Sequence, residues 1–464
     1  MPKRILLAIV TCLAVLVPAA AANANARQFT TVEAPAELLG GNPDGALDEI
    51  ERLGATAIRI QLHWDLVAPD PDGRTAPTFN ATDPQAYPAA NWARYDTAIE
   101  RANARGIKVL LTITGGAPRW ATASKRDHLT RPSATAFGKF ATAVGRRYAG
   151  EVSWFGIWNE PNLGKLLKPI KGLESARIYR ELYKQAYAGL RSARVSAPIL
   201  FGELAPRGNT LPDNGTIAPL RFLRAALCLN GSYRKVGKGC GKVATNGFAI
   251  HPYTTVPGPR FVPSNKDDVT IGVLSRLTSA LDRAASAGAL PRRLPIYVTE
   301  FGVQSVPDHL AGVSLPKQSD FRSLAEYMAY SNPRVASFSQ YLLRDDETVD
   351  GATGRFESGL FLFKDVKPKP SRESFRLPLV VLKPAKGGSK VTLWGLVRPA
   401  HGRSGSVTIQ SNDGGRGWKT LGTQRYAGSG YWKRTATSKA NRAWRVVWES
   451  PDAITFTGPA TLPR

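Results

Sequence analysis

Two short motifs set carboxylates where chemistry could be done: Trp158-Asn159-Glu160-Pro161-Asn162 and Val298-Thr299-Glu300-Phe301-Gly302. Each sits at the end of an apolar, strand-like run, Val152 to Trp158 and Leu294 to Phe301. Two carboxyl groups flanking one bond are what cleavage of a glycosidic bond requires. One is kept protonated and gives its proton to the leaving oxygen; the other stays ionised and attacks the anomeric carbon. Asn159, beside Glu160, can donate to a sugar hydroxyl next to the reacting carbon, a contact that strengthens in the transition state. The bland alternative is that both glutamates are buried ion-pair partners of arginine.

The elements that must position these residues follow a regular alternation. Strand-like runs begin near Phe29 to Val32 and continue at Ala57–Trp64, Ile107–Thr114, Val152–Trp158, Pro198–Leu204, Gly247–Tyr253, Leu294–Phe301 and Val335–Leu343. Helix-like runs lie between them at Asn91–Arg105, Ser133–Tyr148, Glu174–Ala193, Ala218–Leu229, Ile271–Ala287 and Gln318–Tyr330. Alternation on this scale means parallel βαβ units, and eight of them predict an α/β fold closed as a (β/α)8 TIM barrel. A doubly wound open sheet competes, but no glycine-rich phosphate-binding turn follows an early strand. Both glutamates then fall at C-terminal strand ends, where barrels of this kind build their active sites.

Asn159-Glu160-Pro161 on the fourth strand with Glu300 on the seventh resembles the retaining glycoside hydrolases of the large (β/α)8 clan A, of the cellulase-like family 5 or β-xylosidase-like family 39 type. Ala117-Pro118-Arg119-Trp120, after Gly115-Gly116, is similar to the β-xylosidase/iduronidase family. The resemblance covers about residues 50 to 375. It implies that Glu160 is the acid/base and Glu300 the nucleophile, in a double displacement on a polysaccharide or oligosaccharide. It implies further that Asn159 binds the sugar beside the scissile bond and that Arg59 in the second strand supports the nucleophile. His251-Pro252-Tyr253 matches a His-x-Tyr pattern that brings Tyr253 near Glu300. Cellulase-type members carry a tryptophan platform at the end of strand eight. This chain has Ser337-Phe-Ser-Gln-Tyr-Leu-Leu-Arg-Asp345 there, with no tryptophan, so Gln340 or Tyr341 takes that place. His251 and Arg59, taken singly, also suit structural roles. Trp64, Trp120 and Trp158 fit either core positions or sugar platforms, and Glu203, ending strand five, is a lesser candidate. A non-catalytic polysaccharide- or wall-binding protein on a barrel scaffold is the rival function, since fold alone does not decide chemistry.

Near Pro368-Lys-Pro370 the pattern changes, and Lys369 to Arg376 reads as a last short helix. From Leu379 onward short alternating strands and turn clusters such as Asn412-Asp-Gly-Gly415 predict a small all-β sandwich. The expected division is a leader over 1–26, a catalytic barrel over 27–377 and a basic sandwich over 378–464. Five of the ten tryptophans lie in the sandwich. Trp394, Trp444 and Trp448 alternate as core residues, whereas Trp418 and Trp432, beside turns, are the candidates for stacking on sugars.

The 464 residues, 43% hydrophobic with 3 Cys, exclude a disordered chain and a small disulfide scaffold. Met1-Pro-Lys-Arg, the apolar run Ile5 to Val17 and Ala24-Asn25-Ala26 read as a secretory signal, which gives a secreted, extracellular protein with no membrane span after cleavage. Cleavage leaves Cys228 and Cys240, twelve apart in an exported chain, and a disulfide between them is expected. No Cys or His partners sit at metal-ligand spacing, so neither a metal nor an organic cofactor is expected. The charge is uneven: residues 378–464 hold 14 Lys/Arg against 3 Asp/Glu. That balance suits an anionic cell-surface or wall polymer. Basic residues are dispersed and no nucleic-acid motif is present, so nucleic acid is not an expected partner.

Overall fold

The computed structural model describes residues 25–210, 214–238, 240–347, 355–363, 367–384, 387–415 and 417–464. The expected leader lies outside the described residues except for Asn25 and Ala26. Eight parallel strands close a barrel in sequence order: β1 (Phe29–Glu33), β2 (Ala57–His63), β3 (Lys108–Thr114), β4 (Trp154–Ile157), β5 (Ile199–Leu204), β6 (Gly247–Ile250), β7 (Ile296–Val298) and β8 (Val335–Tyr341). Their side chains are buried almost throughout, as strands covered on both faces must be.

The helices are α1 (Pro35–Gly40), α2 (Pro43–Arg52), α3 (Trp64–Val67), α4 (Ala89–Ala104), α5 (Ala134–Tyr148), α6 (Glu174–Ser192), α7 (Pro219–Ala226), α8 (Leu274–Ser286), α9 (Leu315–Tyr330) and α10 (Pro370–Arg376). Caps set some of their starts: the Asn42 side chain accepts from the Gly45 amide at α2, and Ser133 accepts from Ala136 at α5. α1 and α2 carry no clear signal in the sequence, because Pro and Gly punctuate the run Ala34 to Gly45. No helix among the described residues is long and apolar enough to cross a membrane.

Beyond α10, two antiparallel sheets pack into a sandwich. One has the order β13 (Tyr431–Thr437), β10 (Lys390–Leu396), β9 (Leu379–Leu382). The other runs β12 (Lys419–Tyr426), β11 (Gly405–Asn412), β14 (Ala443–Glu449), β15 (Thr455–Thr457). Val381, Leu393, Ile409, Trp444 and Val446 fill the space between them. Trp394 faces the barrel instead, against Tyr327, Tyr330 and Tyr431. The expectation that Trp432 is a platform is corrected: its ring is only 4% exposed and belongs to the sandwich core. Trp418 is half-buried, with the Arg445 guanidinium 4.3 Å over its ring. Cys228 and Cys240 are bonded, with 5.8 Å between their Cα atoms.

Candidate active site

The site is built around one arginine. Arg59 points from β2 into the top of the barrel and is 1% exposed. Its Nη1 donates to Glu33 Oε2 and to Glu300 Oε1, both at 2.6 Å. Its Nη2 donates to Glu203 Oε2 at 2.6 Å and to Asn159 Oδ1 at 2.9 Å, and its Nε reaches Thr112 Oγ1 at 3.2 Å. The rigid five-donor fork of arginine serves four acceptor side chains and a hydroxyl at once, which lysine could not do.

Glu300 stands two residues beyond β7 and is 6% exposed. Besides Arg59 it accepts from the Tyr253 hydroxyl at 3.0 Å. Glu160 follows β4, and its side chain keeps 15% exposure towards the cleft. His251, fully buried, joins the acids: Nδ1 donates to Glu160 at 3.1 Å and Nε2 to Glu203 at 3.2 Å. Carboxylate oxygens of Glu160 and Glu300 and a ring nitrogen of His251 lie within 4.8 Å of one another. Such a trio has the donors for a cation, but both histidine nitrogens already serve carboxylates.

The backbone is bent to achieve this. Trp158, Glu160 and Glu203 adopt φ values of 64°, 42° and 54°, in the left-handed region that non-glycine residues avoid. At β5 the pairing with β6 skips Glu203, so the strand bulges there. Gly202, at φ 121°, allows it, because a Cβ at that position would meet the Ala249 carbonyl at 2.4 Å. A bulge re-aims a side chain, and here it aims a carboxylate into the barrel.

Burial and charge oppose each other across the cluster. Burial pushes the Glu33 carboxyl up to about 7, against the pull of Arg59. For Glu203 burial is outweighed by Arg59 and His251, which hold it below the usual carboxylate range. Burial works against the His251 imidazolium, yet Glu300, Glu160 and Glu203 together raise it to about 10. Burial keeps the Tyr253 and Tyr341 hydroxyls protonated, with Glu300 pushing the same way. The ring nitrogen facing Glu160 is therefore a proton donor at neutral pH.

Tyr341 ends β8, its ring edge-on to Tyr253 at 6.2 Å. A cavity of about 340 Å³ opens beside Glu33, Gln61, Asn159 and Tyr341, with Leu38 and Tyr95 among its apolar walls. A second cavity, about 440 Å³, lies on the sandwich between Arg403, Tyr426 and Glu449, remote in the chain from the carboxylates. Trp120 stands apart from the polar cluster: its N–H donates to the Pro69 carbonyl at 3.2 Å and its ring packs on Trp64 and Phe79. Trp64 and Trp158 are core residues, 1% and 0% exposed. The sequence reading omits Glu33 and Gln61. Gln61 donates to Glu33 at 2.9 Å and reaches Glu300 at 3.4 Å.

Residues 19–209 match the family model for Cellulase (glycosyl hydrolase family 5). That segment carries Arg59, Asn159, Glu160 and Glu203. Among solved structures, a glucosidase from Croceicoccus marinus is similar over 91% of this chain and 97% of its own, at 12% identity and a TM-score of 0.53. A beta-glucosidase from Exiguobacterium marinum is similar over 75% and 96%, at 16% identity and a TM-score of 0.49. The first of these shares the fold. Comparison with curated proteins gives no match. The family match spans the first five barrel strands, and over them the chain is similar to cellulase-like glycoside hydrolases.

Proposed function

We propose that the protein cleaves O-glycosidic bonds of a polysaccharide or oligosaccharide with retention of configuration. The carrying observation is the close approach of Glu160 and Glu300, with one carboxylate oxygen of each within 4.8 Å of the other. Retaining enzymes hold their carboxyls about 5–5.5 Å apart, and inverting ones leave room for a water at about 6.5–9.5 Å. Glu300, held by Arg59 and Tyr253, attacks the anomeric carbon while Glu160 protonates the leaving oxygen. The glycosyl ester on Glu300 is then opened by water, whose proton returns to Glu160. Asn159, its amide oxygen held by Arg59, keeps its NH2 for a sugar hydroxyl.

Both acids lie against the same histidine, His251, at 3.1 Å and 3.5 Å, which favours hydrolysis over a binding role. We further propose that the chain is exported and that its basic sandwich adheres to an anionic wall polymer. The test is a panel of 4-nitrophenyl glycosides and plant, fungal and bacterial wall polysaccharides, with products followed by NMR. First-formed product of retained configuration supports the reading. Inverted product overturns the mechanism, and no turnover with intact polymer binding overturns the activity.

A further inference from the structure

The sandwich sends one arginine into the barrel. Arg398 lies in the 3-10 turn Arg398–Ala400 between β10 and β11 and is 5% exposed. Its Nε donates to the Phe375 carbonyl at 2.8 Å, and its two terminal nitrogens bond Thr30 of β1 and Glu326 of α9. The approach is close: Gly54, at φ 77°, would place a Cβ within 2.6 Å of the Arg398–Pro399 backbone.

Glu326 is fully buried and its other oxygen accepts from Arg322 Nη1 at 2.9 Å. The two guanidiniums clasp the Phe375 ring, at 4.3 Å and 4.2 Å. Arg322 Nε then donates to Gln340 Oε1 at 2.9 Å. The Gln340 amide nitrogen donates to three carbonyls: Ser358 at 2.9 Å, Leu342 at 3.2 Å and Tyr341 at 3.3 Å. These carbonyls shape the chain that leaves β8 at the cleft. Lys369, buried in the segment joining barrel to sandwich, ties the same region. It donates to Asp345 at 2.6 Å and to Ser305 Oγ and the Glu357 carbonyl at 3.0 Å. Tyr341 packs on Tyr253, whose hydroxyl holds Glu300.

A purely adhesive interface does not need a buried charged relay. Burying the Arg398 guanidinium without these partners would be strongly unfavourable. Polar networks in which the members fix one another specify a single arrangement. We propose that the sandwich is a working part of the active site: Arg398, through Glu326, Arg322 and Gln340, positions the Tyr341–Leu342 end of β8 and the Ser358 loop beside Glu300. Arg398 is a positioning residue, and its effect on turnover rests on the glycosidase reading; its effect on order at the end of β8 does not.

The test compares full-length Arg398→Met with Val407→Ala, which loosens the sandwich core without touching the relay. Hydrogen exchange is followed without substrate over residues 338–346 and 356–361. Turnover is followed on whichever 4-nitrophenyl glycoside the wild type hydrolyses. Arg398→Met is expected to speed exchange there at least tenfold and to lower kcat at least tenfold with a small change in KM, while Val407→Ala leaves both near wild type. Arg398→Lys keeps the charge and is expected to show the same pattern at smaller amplitude, so it serves if the methionine variant does not fold. Identical exchange and kcat in Arg398→Met and Val407→Ala would overturn the proposal. A wild type that hydrolyses no glycoside sinks the activity, yet leaves the exchange comparison to decide the relay.

Discussion

Arg59 and Glu300 meet at 2.6 Å in the top of the barrel, the arginine fully buried and the glutamate facing the cleft. The same nitrogen also holds Glu33, so Glu300 shares its partner. Arg59→Met removes the cation from a cluster that contains Glu33, Glu203 and Glu300. Unpaired buried carboxylates are costly, and breaking such a cluster costs about 3–5 kcal/mol. Arg59→Lys should fail nearly as badly in turnover, because one ammonium cannot span the four acceptors. Denaturant unfolding and kcat for both variants check this; a lysine variant with wild-type kcat would show that the fork geometry is unnecessary.

Glu300→Ala and Glu160→Ala should each lower kcat by on the order of 10⁴-fold, with the nucleophile change the more severe. Added azide separates the two roles. In Glu160→Ala it opens the glycosyl ester on Glu300, so the glycosyl azide keeps the substrate's configuration. In Glu300→Ala it attacks from the face that the carboxylate occupied, so the azide product is inverted. The same product configuration from both variants would contradict the roles assigned.

Glu33 and His251 should make stability fall with rising pH in two overlapping windows. Burial lifts Glu33 to about 7 in the folded chain, above an unfolded value near 4.5. The folded state therefore binds the extra proton between those values, and stability declines as pH rises through them. His251 stands at about 10 folded against 6.5 unfolded, so its contribution is complete below 6.5 and lost as pH rises through 10. Glu203, held low, acts oppositely and loses its contribution only in acid. Thermal melts of Glu33→Gln should show a flatter Tm profile between pH 4.5 and 7. An unchanged slope there would mean that Glu33 ionises as an ordinary surface carboxylate does.

Much of this site was legible because strand ends in a parallel barrel converge. Once eight strands are placed, residues 140 apart in sequence, Glu160 and Glu300, must share a face. Glu33 was not legible for a physical reason: an acid at the end of an apolar run looks like the start of a solvated loop. Only the neighbouring strand's Arg59, paired with it across the β1–β2 register, makes it interior. Glu203 looked minor because its inward aim depends on a bulge at Gly202, which strand periodicity cannot show. β12 is not legible in the sequence, because Lys419 to Tyr426 is mostly exposed and lacks an apolar alternation. Trp432 was misjudged because closeness to a turn says nothing about which sheet face a side chain takes.

The disulfide should matter for stability and little for chemistry. It closes the segment between Cys228 and Cys240, after α7 and away from the carboxylates. A loop of this size contributes about 3 kcal/mol in the chain-entropy account. Cys228→Ser/Cys240→Ser should lower unfolding free energy by roughly that amount while leaving kcat near wild type. Urea unfolding with and without reductant measures it, and a wild type insensitive to reductant would argue that the bond adds nothing.

Trp418 and Trp444 should separate adhesion from folding in the sandwich. Trp444 is 0% exposed between the sheets, and truncating a buried aromatic costs about 3–5 kcal/mol. Trp418 is half-buried under Arg445 on the outside, so Trp418→Ala should change stability by no more than about 0.5 kcal/mol. If the basic domain holds an anionic polymer, an arginine stacked on a half-buried indole is a suitable contact, joining charge to a flat apolar face. Sedimentation of the full chain with an insoluble anionic wall polysaccharide then gives a clear contrast. Trp418→Ala should bind several-fold more weakly at unchanged Tm, and added salt should weaken both proteins. Equal binding by wild type and Trp418→Ala would move the adhesive contact off this face of the sandwich.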